Sequence, residues 1–169
     1  MARISKTNER APEKKPLAGG VALVTGGSRG IGRAIAQQLA LLGASVAICA
    51  RDPAALEDSA QGLAKLGVPV HNQIADVTSP AQVADLVAKT EAALGLITVL
   101  VNNAGIGLFG PAHEKTEADW DRVLDTNLKS IFLVSRAVAP SMIRRGSETR
   151  KILIRLVDRK STRLNSSHT

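Results

Sequence analysis

Apolar runs of strand length alternate along this chain with segments whose apolar positions recur every three or four residues. That alternation is the pattern of repeated β-α-β units wound around a parallel sheet. Residues 21–24, Val-Ala-Leu-Val, read as a first strand. Ile31, Ile35, Leu39 and Leu42 then fall on one helical face, and Gly43 supplies the stop. Ser45 to Ala50 reads as a second strand; Asp52 follows as an N-cap with Pro53 at the first helical position, and Leu56, Leu63 and Leu66 line a buried face before Gly67. Residues 68–75 give a third strand. Ser79-Pro80-Ala81-Gln82 combines a cap, an N1 proline and a Gln three residues on, which starts a helix running to about Leu94.

The next run, residues 97–101, is almost continuously apolar, as expected of a strand covered on both faces. Thr116, with Asp119 three residues later, caps another helix. From Asn127 to Arg144 the spacing of Leu128, Ile131, Phe132, Val134 and Val138 predicts a long helix with those side chains toward a core. Lys151 to Ile154 is a fifth strand. Beyond it, residues 158–169 have no core-forming face.

A length of 169 residues, 44% of them hydrophobic, suits one domain. The expected division is a disordered basic tail over residues 1–16, a folded domain over 17–157 and a disordered tail over 158–169. Cys49 stands alone inside an apolar run, so it reads as a small buried thiol, and a disulfide framework within the chain is excluded. No apolar stretch approaches the roughly 18 residues of a bilayer span, and the polar start lacks a signal-peptide core, so a cytoplasmic protein without membrane contact is expected. The formal net charge of +7 sits at the ends. Residues 1–16 carry five Lys/Arg against two Glu, and residues 144–169 carry eight against two acids, whereas the body between them has nine basic and eleven acidic residues. Specific nucleic-acid binding needs a basic patch on a folded face, and two Phe and one Trp offer little stacking surface. No nucleic-acid partner is therefore expected, although a basic-tailed arm for an acidic partner stays open as a weaker reading.

The strongest chemistry lies in Thr25-Gly26-Gly27-Ser28-Arg29-Gly30-Ile31-Gly32. A glycine-rich turn between a strand and a helix lets backbone approach a pyrophosphate, while the helix N-terminus offers free N–H groups and partial positive charge. The spacing here is G-x-x-x-G-x-G, and Gly26, Ser28, Arg29, Gly30, Ile31 and Gly32 become candidate cofactor-binding residues. A plain tight turn is the alternative.

With Asp76-Val77 after the third strand, Asn102-Asn103-Ala104-Gly105 after the fourth and Asn127, the chain resembles the short-chain dehydrogenase/reductase family, in particular its 3-oxoacyl-carrier-protein reductase-like members. The resemblance covers roughly residues 17–153. It implies a three-layer, doubly wound parallel sheet of the Rossmann kind, with strand order 3-2-1-4-5 and no counterpart of the family's last strands. It further implies that Asp76 accepts a bond from the adenine amino group with Val77 beside the ring, and that Asn103, Ala104 and Gly105 pass close to a ribose. A carboxylate ending the second strand favours NAD and a cation favours NADP. Arg51 in that position, with Arg29 in the glycine turn, favours NADP, and Asp52 reads as the cap of the next helix.

Family reductases polarise a carbonyl with a Ser and deliver a proton from the Tyr of Tyr-x-x-x-Lys. This chain contains no tyrosine, and only Asn127 matches the family's catalytic set, as its water-positioning member. The expectation is an NADP-dependent oxidoreductase by descent, acting on a small carbonyl compound in full-length relatives but incompetent in this chain; the alternative is a binding module without turnover. Residues 159–169 resemble translated adapter sequence, which suggests that the frame departs from its gene near residue 148, with a naturally divergent tail as the other possibility. An unpaired apolar edge and the long helix are then expected to promote self-association. His113, alone in a loop, reads as a solvated surface group.

Overall fold

The computed structural model describes residues 15–144 and the backbone of residues 151–154. Residues 1–14 of the expected N-terminal tail, the whole of the expected tail over 158–169 and the divergence point near residue 148 lie outside the described residues; Lys15 and Pro16 are described, and the Lys15 carbonyl accepts from the Ala18 N–H at 3.0 Å.

Five parallel strands form one sheet: β1 (Val21–Thr25), β2 (Ser45–Ala50), β3 (Val70–Ile74), β4 (Val99–Asn102) and β5 (Lys151–Ile154), in the order β3-β2-β1-β4-β5. The connecting helices are α1 (Gly30–Leu41), α2 (Pro53–Ala64), α3 (Pro80–Leu94), α4 (Glu117–Leu124) and α5 (Ser130–Arg144). Successive side chains of β1 and β2 point to opposite faces, and both faces are dry. Val21, Leu23, Ala47 and Cys49 pack with Val83, Leu86 and Val134 under α3 and α5. Ala22, Val24, Val46 and Ile48 pack with Ala36, Ala40, Leu56 and Leu63 under α1 and α2. The expected doubly wound, three-layer architecture is therefore the observed one.

Local chemistry sets the helix starts. Asp52 accepts from the Ala55 N–H, Ser79 from Gln82, and Thr116 and Asp119 form a reciprocal capping box. Pro69, with no N–H to give, offers only its carbonyl to Val46, and β3 begins one residue later than that proline rather than at Val68.

Two expected buried faces differ from those observed. Around α1 the sheet is met by Gly32, Ala36 and Ala40, with Ile35 and Leu39 partly buried, while Ile31 and Leu42 are exposed. Small side chains let the helix axis sit close to the strands, so the apolar stripe rotates by one residue. In the second case Leu128 and Phe132 are more than half exposed. Leu128 lies in a π-helical turn, Asp125–Lys129, between α4 and α5, whose extra residue shifts the local repeat, whereas Phe132 follows in α5 itself, about 100° round the helix from the buried Ile131. Ile131, Val134 and Val138 remain buried, as expected.

Candidate functional site

At the carboxyl ends of the parallel strands a cleft of about 490 Å³ opens where the chain order reverses between β1 and β4. Ligand clefts of open α/β sheets lie at such switch points. Its floor is the turn from β1 into α1. Gly26 and Gly30 hold φ values of 66° and 54°, in the left-handed region that side chains strain to enter. A Cβ on Gly32 would stand 2.2 Å from the Gly26 carbonyl oxygen, whereas one on Gly30 would meet nothing within 4 Å. Gly32 is thus needed for packing beneath the turn, and Gly30 keeps its outer surface bare.

Asn103 braces this turn from the neighbouring strand end. Its Nδ2 donates to the carbonyls of Thr25 and Gly26 at 3.0 and 3.1 Å. Thr25 Oγ1 in turn accepts from the N–H groups of Asn103 and Ala104, both at 3.0 Å. From below, Ser59 Oγ donates to the Gly27 carbonyl and the Gly27 N–H donates to Cys49. Cys49 lines the cleft floor but is fully buried, and burial pushes its thiol up to about 12, as an inert core residue requires.

Arg29 is the N-cap of α1 and makes no side-chain capping bond, and the first turn holds no acid. This contrasts with α2, α3 and α4, each of which begins under a side-chain cap. The N–H groups of the first α1 turn, with the helix's partial positive charge, are left for a ligand in the cleft.

The far end of the cleft carries the charges. Arg29 Nη2 lies 2.5 Å from Asp52 Oδ2, while Asp52 Oδ1 accepts from the Ala55 N–H at 3.1 Å. The Ala55 N–H, followed by the Arg29 charge, holds the Asp52 carboxyl below its ordinary range even though desolvation opposes both. Asp52 is therefore the helix cap expected from sequence and, in addition, a partner of Arg29. Arg51 is exposed and makes no ion pair among the described residues. On the adjacent wall, burial raises the Asp76 carboxyl, but bonds from the Thr78 N–H and hydroxyl, with the Arg51 charge, bring it below the ordinary value on balance.

All twelve residues expected at the dinucleotide line this one cleft: Gly26, Ser28, Arg29, Gly30, Ile31, Gly32, Arg51, Asp76, Val77, Asn103, Ala104 and Gly105. Asn127 does not line it. It sits in the π-helical turn, where its amide accepts from the Ile106 N–H at 2.8 Å and donates to the Ile106 carbonyl at 2.9 Å, fixing the loop that continues the Ala104-Gly105 wall. His113 is 84% exposed, 3.9 Å from Glu114, as expected of a surface group. Sequence reasoning missed Thr25 as the hub of the brace and Thr126 in the cleft wall. The signal for Thr25 was its position, a hydroxyl residue ending a strand just ahead of the glycines.

The residues fit a nicotinamide dinucleotide. The turn has no side chain over Gly30, the α1 amides are uncapped, and guanidinium groups flank the β2 end of the cleft. The family model described as short chain dehydrogenase matches residues 20–154, and this chain belongs to that family. It is 41% identical over 135 residues to gluconate 5-dehydrogenase of Gluconobacter oxydans, covering 80% of this chain and 53% of the relative. Among solved structures, a metagenomic short-chain oxidoreductase in complex with NADP superposes with a TM-score of 0.74 at 41% identity, covering 80% of this chain and 61% of that one. An NAD+-bound xylitol dehydrogenase superposes with a TM-score of 0.77 at 34% identity, covering 82% and 53%. The chain spans about half the length of the curated relatives it matches. No helix among the described residues is long and apolar enough to cross a membrane.

Proposed function

We propose that this chain holds a nicotinamide dinucleotide, NADP in preference to NAD, in the cleft above β1, β2 and β4, as the cofactor-binding half of a carbonyl-reducing short-chain dehydrogenase. The observation that carries this reading is the meeting of a bare glycine turn, an uncapped helix N-terminus and the two guanidinium groups of Arg29 and Arg51 in a single cleft. In it, Gly26, Ser28, Gly30, Ile31 and Gly32 receive the pyrophosphate, using backbone N–H groups that no side chain caps. Asp76 and Val77 receive the adenine, and Asn103, Ala104 and Gly105 form the ribose wall. Arg29 and Arg51 supply planar donors suited to a 2′-phosphate. Asn127 acts at one remove, by fixing Ile106. In a complete enzyme the reduced dinucleotide, NADPH, held by these residues would supply a hydride to a carbonyl carbon.

Reduction also requires a proton at the carbonyl oxygen. The chain contains no tyrosine to donate it, so binding without turnover is the behaviour proposed for these 169 residues. The substrate class, a small ketone such as a 3-oxoacyl thioester, is proposed for the whole protein only. Trp120, Leu124, Leu128 and Phe132 recur every four residues and are exposed, which supports self-association through α4 and α5. Cytoplasmic residence and absence of a nucleic-acid partner complete the reading.

The test is isothermal titration of the purified chain with NADP and NAD, alongside an NADPH oxidation assay with a panel of ketones. Saturable one-to-one binding tighter for NADP, without oxidation, supports the proposal. Turnover would reject the non-catalytic reading, and failure of both dinucleotides to bind would reject the site.

A further inference from the structure

The backbone stays right-handed helical through Leu124, Asp125 and Ser130, so α4, the π-helical turn and α5 form one continuous helix with the turn inside it. Three consecutive residues of that turn meet three different surroundings. Thr126 is buried and lines the cleft, Asn127 holds Ile106, another lining residue, through both of its amide atoms, and Leu128 is exposed on the stripe of Trp120, Leu124, Leu128 and Phe132. Ser130 Oγ donates to the Thr126 carbonyl at 2.6 Å, and Lys129 pairs with Asp125 across the turn. The cleft wall and the apolar stripe are two sides of the same five residues.

The stripe is complementary to itself. Its four positions are symmetric about residue 126, so a second copy crossing antiparallel there sets Trp120 against Phe132 and Leu124 against Leu128, as a two-fold contact requires. Arg136, whose guanidinium lies 5.2 Å over the Phe132 ring, is the next position of the same repeat and comes to the start of the other copy's α4, where Glu117 and Asp119 stand. The occupant that fits this face is a second copy of the chain, with the two-fold axis at the π-helical turn.

We infer that pairing of two copies and occupation of the cleft are coupled through this turn, each strengthening the other. This rests on the reading of the cleft as a dinucleotide site. The sign follows from burial. No residue of α4 is buried among the described residues, and an eight-residue helix without tertiary cover is marginal in water. In a single copy α4 therefore opens at little cost and loosens the turn that follows it. A second copy laid on the stripe holds α4 and the turn in place before a ligand arrives, and a ligand against Thr126 and Ile106 holds the turn before a second copy arrives. Whichever binds second meets an ordered wall, which makes the coupling positive and, by linkage, reciprocal.

The test uses the full chain, titrated with NADP at protein concentrations below and above the dimer midpoint, which sedimentation velocity locates with and without NADP. The expected NADP dissociation constant is about fivefold lower for the dimer than for the monomer. Because two clefts fill per dimer, saturating NADP should then lower the dimer dissociation constant by the square of that factor, about 25-fold. Leu128→Glu and Trp120→Lys, the second lying in α4 outside the turn, should stay monomeric and bind NADP as the dilute chain does. If either variant loses its folded circular dichroism spectrum, the comparison of dilute and concentrated unsubstituted chain decides alone. An NADP affinity equal in monomer and dimer, or weaker in the dimer, would overturn the inference, as would a chain that stays monomeric with and without NADP. A concentration dependence that persists in both folded variants would overturn it too, by placing the coupling elsewhere. If neither NADP nor NAD binds at any concentration, the dinucleotide reading fails and the coupling with it, while sedimentation still reports whether the stripe pairs.

Discussion

Replacing Gly32 by Ala puts a methyl group 2.2 Å from the Gly26 carbonyl oxygen and 2.4 Å from Asn103 Nδ2. Neither neighbour is the loose end of a side chain: one is backbone, and the other is an amide held by two carbonyls. The turn has to move. Forcing a methyl group into packed surroundings costs about 1–3 kcal/mol, and the two Asn103 bonds contribute about 1 kcal/mol each if they break. Alanine's helix preference returns at most about 1 kcal/mol. The balance is a destabilisation of about 2 kcal/mol, a fall in melting temperature of roughly 4–8 °C for a domain of this size.

Gly30→Ala is the matched comparison. It meets nothing within 4 Å, so its cost is the left-handed backbone alone, about 1 kcal/mol, but the new methyl group stands over the turn and should abolish dinucleotide binding. Gly62→Ala, inside α2, would meet only the end of the long Arg33 side chain, 3.1 Å away and paired with Asp58, which can yield by a few tenths of an ångström, so it should be neutral or stabilising by up to about 1 kcal/mol. Differential scanning fluorimetry on the three variants gives the order directly. A Gly32→Ala protein that melts within a degree of the unsubstituted chain, or below which Gly62→Ala falls, would refute the packing argument.

Other consequences follow from individual bonds. Asn127→Ala removes both bonds to Ile106 and should cost about 1–2 kcal/mol, with hydrogen exchange at the Ile106 amide accelerated more than at the β1 amides. Thr25→Val keeps the shape but leaves the Asn103 and Ala104 N–H groups without their acceptor. A loss of about 2 kcal/mol or more, together with weaker dinucleotide binding by titration, is expected. Cys49, with its thiol pushed up to about 12 against 9.0 for the exposed group, should resist thiol reagents at pH 8 until the chain unfolds. Because the unfolded thiol loses its proton first, stability should fall as pH rises from about 9 toward 12, which a pH series of melting curves would reveal by comparison with Cys49→Ala.

What sequence reveals here follows the range of the interaction. The caps at Asp52, Ser79 and Thr116 are contacts within three residues, and each was legible from residue type and spacing. The glycine turn was legible because its conformational demand is local and its flanks, strand then helix, are strongly patterned. Features depending on distant partners were not. The α1 face of Gly32, Ala36 and Ala40 defeats a reading that follows bulky apolar residues, because close approach to the sheet selects small ones. Leu128 faces outward where the π-helical turn shifts the helical repeat, and Phe132 because it stands one residue off the face that Ile131, Val134 and Val138 share. Asn103 was expected at the ribose wall and does line the cleft, but its amide is spent on the turn 77 and 78 residues earlier. The Arg29–Asp52 pair likewise joins residues 23 apart that only the parallel order of β1 and β2 brings together.

The central claim is the location of the dinucleotide, and chemical-shift mapping of the isotopically labelled chain during NADP titration tests it most directly. A dinucleotide in the cleft shifts the amides of residues 26–32, 51–52, 76–77 and 103–105, all saturating together with a single dissociation constant. Shifts confined to the basic residues at the ends of the chain, with the glycine-turn amides unmoved, would contradict it.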